Sequence, residues 1–367
     1  MKIVQLLPEL NEGGVERGTV ELGRELARKG FESVVISNGG NLVKQLESEG
    51  SLHIKFNVCS KNPLSSVNRV FGLRKILKKL DPDIIHVRSR VPAWLVYFAN
   101  KSLKIPLIST VHGLNSVNKY SEIMIKADKT ICVSEVVRDY LIKNYNADIK
   151  KLTVIQRGVD INKFDPEKVN NHFIKQFKQQ HNLNNKFLIT SVGRITWLKD
   201  YETFIEAIAI TKKVIPNIIG LIIGGVREDK NNYFESLQKL AIKLNVSNNI
   251  IFAGSQKEMP EIYFLSDIVV NASLKMGNVA RTITEALAMN TPVIATTYKG
   301  LNDIIIDGKN GYIIKTKDPI DLSNKIIRAS DNSFEDIREN LNHEFTLEAL
   351  AESTIKIYNS LKKEKHG

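Results

Sequence analysis

The alternation of short apolar runs with helical segments is the feature of this 367-residue chain that most limits how it can fold. The apolar runs are nearly continuous, and segments with helical periodicity follow them, such as residues 15–29, which end at Gly30. Continuous apolar strands joined by helices are typical of parallel sheets that are covered on both faces. We therefore predict a doubly wound α/β fold. The predicted strands are 3–7, 33–37, 83–87, 106–111, 130–134, 187–192, 220–223, 250–252, 268–271, 292–295 and 312–314.

The alternation pauses near the middle of the chain. Residues 157–160 and 164–166 are typical of a loop that leaves a domain, and residues 170–186 are rich in Asn, Gln and Lys. A chain of this length matches two domains of ordinary size. We predict one Rossmann-like domain over residues 1–165 and a second over 166–344. A final helix, 345–362, is a candidate to pack back onto the first domain.

Composition excludes several classes of protein. Cys59 and Cys132 sit in β-like runs without metal-ligand spacing, and two isolated thiols, expected to be buried, are typical of a reducing compartment. The longest apolar run, residues 218–226, contains three glycines and is about half of what a bilayer crossing needs. The first residues show no secretory signal pattern. We therefore expect a cytoplasmic protein that is not integral to a membrane.

The formal charge of +12 is concentrated in the first half, where residues 1–165 hold 26 Lys and Arg against 17 Asp and Glu. Such a half could face nucleic acid, anionic lipid or a phosphorylated acceptor, or simply be a solvated basic surface. The run Arg74–Lys79 is correspondingly either a membrane-surface helix or an ordinary amphipathic one. We expect no nucleic-acid partner, because the sequence shows no known binding module.

Residues that follow the strands are the candidates for a site, because ligands bind at the carboxyl ends of the strands in a doubly wound sheet. Gly13 and Gly14 follow the first strand and precede a helix, whose free N–H groups attract anions; a simple turn is the alternative. His112 follows strand 106–111, where an imidazole can exchange hydrogen bonds with a substrate hydroxyl. A structural histidine is the alternative there.

Two cations and a carboxylate follow strands of the second half. Gly193 and Arg194 come directly after strand 187–192, and Lys199 follows five residues after the arginine. A planar guanidinium and a point charge suit a pyrophosphate and offset charge on a leaving diphosphate; two unrelated surface cations are the alternative. Glu285 is predicted on a helix after strand 268–271, where a carboxylate can bind both hydroxyls of a ribose.

Taken together, these elements resemble the retaining family 4 glycosyltransferases of the GT-B fold, in which two Rossmann-like domains face each other across a cleft. The resemblance covers roughly residues 1–330 and rests on the order and spacing of its segments. Within the family, residues 86–94, 193–199 and 281–282 are similar to bacterial enzymes of lipopolysaccharide and other envelope polysaccharides. The segments that carry the resemblance to the family as a whole are Gly13–Glu16, His112-Gly113, Arg157–Asp160, Gly193-Arg194 with Lys199, Gly254, and Glu285-Ala286 running to Pro292–Ala295.

The resemblance implies a hexosyltransferase that moves a sugar, with retention, from a nucleotide-diphosphate sugar to a lipid-linked or polysaccharide acceptor. It implies an acceptor-side first domain and a donor-binding second domain. It also implies peripheral contact with anionic lipid on the cytoplasmic face of the inner membrane. No metal and no cofactor are expected, because Arg194 and Lys199 take the role of neutralising the diphosphate.

The resemblance also implies roles for individual residues. Gly14 would give its N–H to the distal phosphate, Glu285 would bind the ribose, and His112 would contact the transferred sugar. Gly254 and Ser255 would lie beside the base. The implied catalytic residues are His112, Arg194 and Lys199; the donor-binding residues are Gly13, Gly14, Gly193, Arg194, Lys199, Gly254, Ser255, Asn278, Val279, Ala280, Arg281 and Glu285; the acceptor-binding residues are Arg88 and Arg90.

One position departs from the family pattern. The family has a Glu-x7-Glu pair, and Gly277 stands where its first glutamate is expected, eight residues before Glu285. Losing one charged hydrogen bond to a substrate weakens the free energy of binding by about 1.5–3 kcal/mol. Either the sugar is held through loop N–H groups, Asn278 or Lys275, or the chain is a non-catalytic relative that binds nucleotide or glycan. An epimerase on the same fold ranks lower, because it needs several carboxylates.

Overall fold

The computed structural model describes residues 1–366 apart from 12, 63, 228–229, 275–280 and 300. The chain forms two compact units, the first made of Met1–Gly158 with Thr346–Gly367 and the second of Val159–Phe345. The division therefore falls at Gly158, whereas the sequence placed it at residue 165. A Cβ atom on Gly158 would overlap the backbone of Thr346, so the point where the chain leaves the first unit packs against the point where it returns.

The first unit is built on a parallel sheet with helices on both faces. Its strands are β1 (Lys2–Leu6), β2 (Glu32–Ser37), β3 (Leu52–Lys55), β4 (Ile84–Val87), β5 (Leu107–Val111), β6 (Lys129–Cys132) and β7 (Leu152–Val154). Its helices are α1 (Gly14–Arg28), α2 (Val43–Ser48), α3 (Ser66–Leu80), α4 (Arg90–Ala99), α5 (Glu135–Tyr145) and α12 (Leu347–His366). The strand order is β3-β2-β1-β4-β5-β6-β7.

Successive strand residues point to opposite faces, which is why both faces of this sheet need a cover. Val4 and Ile85 pack on the side that holds α3, α4 and α5, with Leu77 and Val96. The residues next to them along the strands, Ile3 and Ile84, pack on the other side of the sheet against α1 and α12. Tyr358 of α12 is fully buried there. The C-terminal helix thus completes the core of the first unit. The residues of this second cluster include Ile3, Ile84, Ile108, Leu22, Leu26, Ala351 and Leu361.

The second unit repeats the arrangement. Its strands are β8 (Phe187–Val192), β9 (Ile218–Ile223), β10 (Ile250–Phe252), β11 (Ile268–Asn271), β12 (Val293–Thr296) and β13 (Gly311–Ile314), in the order β10-β9-β8-β11-β12-β13. Its helices are α6 (Asn171–Gln180), α7 (Tyr201–Thr211), α8 (Asn231–Lys243), α9 (Met259–Phe264), α10 (Arg281–Ala288) and α11 (Pro319–Ser330). All strand pairs recorded in both sheets are parallel. The predicted doubly wound fold class is therefore confirmed.

Each sheet has a point where the strand order reverses, between β1 and β4 in the first unit and between β8 and β11 in the second. The loops beyond these strands form the crevice in which doubly wound folds bind ligands. Gly13 and Arg88 follow the first pair of strands, and Gly193 and Ser273 follow the second. Gly13, Arg88 and Gly193, which the sequence singled out, thus follow strands at the two reversal points, whereas His112 and Gly254 follow β5 and β10. In the part of the chain that the structure describes, no helix is long and apolar enough to cross a membrane.

Two expectations from the sequence need correction. Strands β3 and β7 were not predicted, because they are only four and three residues long and lie at the edges of the sheet. Cys132 is buried in β6, but Cys59 is half-buried in the segment after β3 and its Sγ lies 3.5 Å from Asn57 Oδ1. The expected pair of buried strand cysteines is therefore correct for Cys132 alone.

Histidine 86 links the sheet to the C-terminal helix and makes the first unit sensitive to acid. Its Nδ1 lies 2.7 Å from Tyr358 Oη and its Nε2 lies 2.6 Å from Thr110 Oγ1. Burial, and then the charge of Arg88, hold the pKa of His86 well below its ordinary value of 6.5. The unfolded chain binds a proton below that pH and the folded chain resists it, so stability falls as the pH drops through 6.5.

We expect His86→Gln to reduce this acid sensitivity of the first unit. In the wild-type chain, His86 lowers the free energy of unfolding by up to about 1.4 kcal/mol for each pH unit below 6.5. Urea unfolding between about pH 7.5 and pH 5.5 measures it, and Trp94 reports the first unit in a Trp197→Phe background, since the chain has two tryptophans. The His172→Gln variant, at an exposed histidine, is the control, and its free energy of unfolding should depend on pH as in the wild type. If the free energy of unfolding depends equally on pH in the wild type and in His86→Gln, His86 is not the source of the acid sensitivity.

Candidate active site

The first candidate site is a pocket of about 300 Å³ in the first unit, at the carboxyl ends of β4 and β5. Arg88 and Arg90 follow β4, and His112 follows β5. All three side chains line this β4–β5 pocket, so the structure brings the two predicted acceptor residues and a predicted catalytic residue together. They converge because β4 and β5 are neighbours and parallel, so both strands end at one edge of the sheet.

The two arginines of the β4–β5 pocket are held in different ways. Arg88 is buried, and its Nη1 donates to Gln5 Oε1 at 2.9 Å, while its Nε makes no hydrogen bond within the described residues. Burial lowers the pKa of Arg88 to about 10, so the guanidinium is still charged at neutral pH. Arg90 donates to Ser121 Oγ at 3.0 Å and lies over the Tyr120 ring. The pocket therefore contains two positioned cations suited to an anionic or hydroxyl-rich ligand.

His112 is held as a neutral hydrogen-bond donor. Its Nδ1 lies 3.4 Å from Nη2 of Arg157. A guanidinium can only donate, so Nδ1 accepts and the neutral ring carries its proton on Nε2. Burial, then the charges of Arg88 and Arg157, hold the pKa of His112 well below its ordinary value. Nε2 is buried without a partner in the described part of the chain, so its N–H is available to a ligand oxygen.

Two functional candidates just after β7 were given no site role from the sequence, although Arg157 belongs to a segment that carries the family resemblance. Gln156 has a buried Oε1 without a hydrogen-bond donor among the described residues, and Arg157 contacts His112. A Cβ atom on Gly14 would lie 2.7 Å from Arg157 Nη1, so this guanidinium reaches the start of α1. Both residues follow a strand, which is the feature that identified the other candidates, but the three-residue strand β7 was not predicted.

The start of helix α1 carries the predicted phosphate contacts. Gly13 occupies the N-cap position and has no side chain with which to cap the helix, and the carboxylate of Glu16 in the first turn lies against it. The first N–H groups of a helix have no partner within the helix and attract anions. Arg157 adds a cation close to Gly14. The structure therefore places Gly13 and Gly14 at a helix start, where unpaired N–H groups favour an anion, and their role in donor binding remains a prediction.

The second candidate site is a polar network in the second unit. Lys199 Nζ donates to Ser273 Oγ at 3.4 Å, and Ser273 Oγ donates to Asn271 Oδ1 at 2.6 Å. Asn271 Nδ2 then donates to Thr282 Oγ1 at 2.9 Å, in the first turn of α10. Strands β8 and β11 are paired, which places the loops after them side by side. The network therefore joins a predicted catalytic cation to the helix that carries Glu285.

Lys199 is the cation of this network, and Gly193 and Arg194 lie beside it. A Cβ atom on Gly193 would lie 2.5 Å from Lys199 Cε, so only glycine lets the lysine lie over this loop. Burial, and then the charge of Arg194, lower the pKa of Lys199. Arg194 is exposed. Two cations in this arrangement repel each other, and an anion bound between them relieves the repulsion.

Glu285 is buried in α10 between two donors. Tyr263 donates its hydroxyl to Oε2 at 2.9 Å, and Arg281 Nε donates to Oε1 at 3.2 Å. A carboxylate can accept about four hydrogen bonds, so these two leave capacity for ribose hydroxyls. The structure therefore places the predicted donor residues Arg281 and Glu285 in direct contact as an i,i+4 pair.

The loops after β9 and β10 lie side by side. Gly254 has a φ of +67°, which favours glycine, and nothing lies within 4 Å of the position of a Cβ atom there. Gly224 N donates to Gly254 O at 2.8 Å, and a Cβ on Gly225 would lie 2.8 Å from Ser255 Oγ. The pair Gly224-Gly225 was not singled out, although it directly follows β9. The predicted donor residues Asn278, Val279 and Ala280, with Gly277 and Lys275, lie outside the described residues.

Comparison with known proteins decides the family. The model described as Glycosyltransferase Family 4 matches residues 12–163, and the one described as Glycosyl transferases group 1 matches residues 173–346. The crystal structure of a glycosyltransferase from Rickettsia africae ESF-5 is similar over 98% of both chains, with 30% identity and a TM-score of 0.88. The chain belongs to glycosyltransferase family 4. The resemblance inferred from the sequence is therefore confirmed, and the two parallel-sheet units are those of a GT-B glycosyltransferase.

Two other proteins help to define what relatives of this glycosyltransferase act on or bind. The UDP-Gal:alpha-D-GlcNAc-diphosphoundecaprenol alpha-1,3-galactosyltransferase of Escherichia coli is 27% identical over 349 residues, which is 90% of this chain and 87% of the relative. The structure of Anabaena Alr3699/HepE in complex with UDP and glucose is similar in fold, with a TM-score of 0.82 at 19% identity over 98% of this chain and 100% of that one.

Proposed function

We propose that this family 4 glycosyltransferase moves a hexosyl group, with retention, from a nucleotide-diphosphate sugar to a lipid-linked or polysaccharide acceptor of the bacterial cell envelope. The observation that carries the proposal is the polar network from Lys199 through Ser273 and Asn271 to α10. It joins Lys199, a cation suited to a diphosphate that has Arg194 as its neighbour, to the helix whose buried carboxylate, Glu285, is suited to a ribose. Those are the two charged or hydroxyl-rich parts of one nucleotide.

The proposed reaction exchanges one C–O bond for another. The bond from the anomeric carbon to the leaving diphosphate breaks, and a bond from that carbon to the acceptor oxygen forms on the same face. The acceptor proton passes to the leaving diphosphate oxygen. Arg194 and Lys199 offset the charge that develops on the diphosphate, the role that a metal ion takes in other enzymes. His112 donates its Nε2–H to a hydroxyl of the transferred sugar, and Arg88 and Arg90 bind the acceptor.

The relatives support the proposed substrate classes. The name of the Escherichia coli relative gives a UDP-sugar donor and a diphosphoundecaprenol acceptor, and the HepE structure contains UDP and glucose. We infer donors and acceptors of the same classes for this chain. An acceptor of that kind resides in a membrane, and the basic first half is consistent with peripheral contact with anionic lipid of the inner membrane.

The first experiment is a thermal-shift screen against UDP-, GDP-, dTDP- and ADP-sugars. A donor that binds the folded chain at a hundred times its Kd adds about 2.7 kcal/mol to the apparent stability. We expect one nucleotide class to raise the Tm, and that donor to be transferred to a lipid-linked glycan with an unchanged anomeric configuration by NMR. Transfer is expected to persist in EDTA. Inversion, or loss of transfer that Mg²⁺ restores, would contradict the proposed mechanism.

A second candidate function is a non-catalytic relative that binds nucleotide or glycan, and Gly277 favours it because a carboxylate is expected at this position in the family. The same screen separates the two functions when release of the nucleoside diphosphate is followed in parallel. Binding of a donor without turnover, across lipid-linked and polysaccharide acceptors, would favour this second function. Turnover with any acceptor excludes it.

A further inference from the structure

A second pocket of about 310 Å³ lies between helices α3 and α4 of the first unit. It shares no lining residue with the β4–β5 pocket, but the two adjoin, because Arg90 lines one and Val91 lines the other. Tyr120 closes this α3–α4 pocket and lies under the guanidinium of Arg90. None of its residues has a role in the proposed reaction, so the pocket requires its own explanation.

Arg69 is the buried charged group of the α3–α4 pocket, and Lys61 is an exposed one. The residue is only 8% exposed. Its Nη2 donates to Asn62 O at 3.0 Å and its Nε to Ser65 O at 3.3 Å, while Nη1 has no hydrogen bond in the described part of the chain. Among the described residues no carboxylate forms an ion pair with it. A buried charge needs a partner of opposite sign, so an anionic ligand is the chemistry that Arg69 favours.

Apart from the polar residues Ser60, Lys61, Asn62 and Ser66, the rest of the pocket wall is aromatic and aliphatic. The Trp94 ring stacks with Phe98 at 5.8 Å and with Tyr120 at 6.4 Å between centroids. Val70 and Val91 complete the apolar lining. A wall of this kind is suited to a hydrocarbon chain, since it offers an apolar surface beside the buried cation Arg69.

The surface next to the pocket continues its apolar and basic character. Leu64, Val67 and Phe71 lie at or before the first half of α3 and are exposed by 88%, 58% and 60%. Residues 57–104 hold ten Lys and Arg against two Asp, a net charge of +8 out of the +12 of the whole chain. Exposed apolar residues among cations are suited to a molecule that joins an apolar chain to an anion.

We propose that the α3–α4 pocket binds the phosphate and the first part of the apolar chain of a lipid-linked acceptor. Arg69 holds the phosphate, with Lys61 at the exposed side of the pocket, and the chain lies along Trp94 and Phe98 towards Phe71. The glycan of such an acceptor then extends into the adjoining β4–β5 pocket with Arg90 and His112. This assignment rests on the proposed function, because it identifies the class of acceptor.

Binding of dodecyl phosphate to the whole protein, below its micelle concentration and without donor, tests the proposal. In the Trp197→Phe background Trp94 is the only tryptophan, so its fluorescence reports the pocket directly. We expect saturable binding of dodecyl phosphate and at least about tenfold weaker binding of inorganic phosphate and of dodecanol. Arg69→Met should weaken binding of dodecyl phosphate by about 10- to 100-fold, the loss of a charged hydrogen bond. Lys78→Met is the matched control, since it removes one charge from the exposed side of the same helix.

A second variant guards against a purely structural effect, because Arg69 also holds residues 62–65 in place. Val91→Phe leaves Arg69 intact and fills the pocket, so it should also weaken binding of dodecyl phosphate. Equal binding of inorganic phosphate, equal losses in Arg69→Met and Lys78→Met, or no loss in Val91→Phe would each overturn the proposal. The assay contains no nucleotide sugar, so a failure of the proposed transfer reaction and a failure of this lipid-phosphate site are observed separately.

Discussion

Replacement of Lys199 by alanine is expected to lower the kcat of sugar transfer by about 10²- to 10³-fold. Lys199 is held over Gly193 and hydrogen-bonded to Ser273, so its charge is positioned before a donor binds. The charge matters most when the diphosphate leaves, and a preorganised cation is more effective there than a mobile one. Removing Arg194 as well, in an Arg194→Ala, Lys199→Ala double variant, should bring transfer to background and weaken binding of the nucleoside diphosphate.

Initial rates at saturating donor measure the effect, and calorimetry with the nucleoside diphosphate measures the loss of binding. Lys213→Ala removes an exposed lysine beyond the end of α7 and should leave both quantities unchanged. Ser273 keeps its hydrogen bond to Asn271 without the lysine, so the polar network itself should persist. Wild-type turnover in the double variant would refute the assignment of the diphosphate site and, with it, the function proposed above.

The sequence predicted the fold class because the internal strands are buried on both faces and are therefore continuously apolar. Every predicted strand corresponds to one in the structure, and the two that were missed, β3 and β7, are short edge strands. Strand β3 alternates apolar and polar residues over Leu52–Lys55, too short a span for a periodic signal. The structure divides the units at Gly158 rather than at the predicted residue 165, and Gly158 lies there against Thr346, a tertiary contact that no local pattern reveals.

The candidate site was predictable in position but not in its connections. Proximity to a strand end identified His112, Arg194 and Lys199, because parallel strands end at one edge of a sheet. The hydrogen bond from Lys199 to Ser273 forms because β8 and β11 are neighbours in the sheet, although 75 residues of sequence separate the two strands. Likewise, the tautomer of His112 depends on its contact with Arg157, 45 residues away. Such pairings follow from the strand order, which the sequence alone does not determine.

Replacement of His112 by alanine is expected to lower kcat by about 10²-fold or more, with a smaller effect on donor binding. The proposed Nε2–H donates to a hydroxyl of the transferred sugar, and a hydrogen bond that strengthens in the transition state contributes mainly to kcat. His112→Asn retains an N–H donor and should recover part of the loss. His172→Ala, at an exposed histidine in α6, is the control and should leave kcat unchanged.

The pH dependence distinguishes a neutral His112 from a charged one. Burial, with the charges of Arg88 and Arg157, holds the pKa of His112 well below 6.5, so the ring is neutral above that value and protonates only in more acidic solution. We therefore expect kcat/KM to show no histidine limb between about pH 8 and pH 6.5. A limb with a midpoint near 6.5 that disappears in His112→Asn would show that the ring titrates normally, in which case His112 acts as a cation rather than as the neutral donor that its contact with Arg157 indicates.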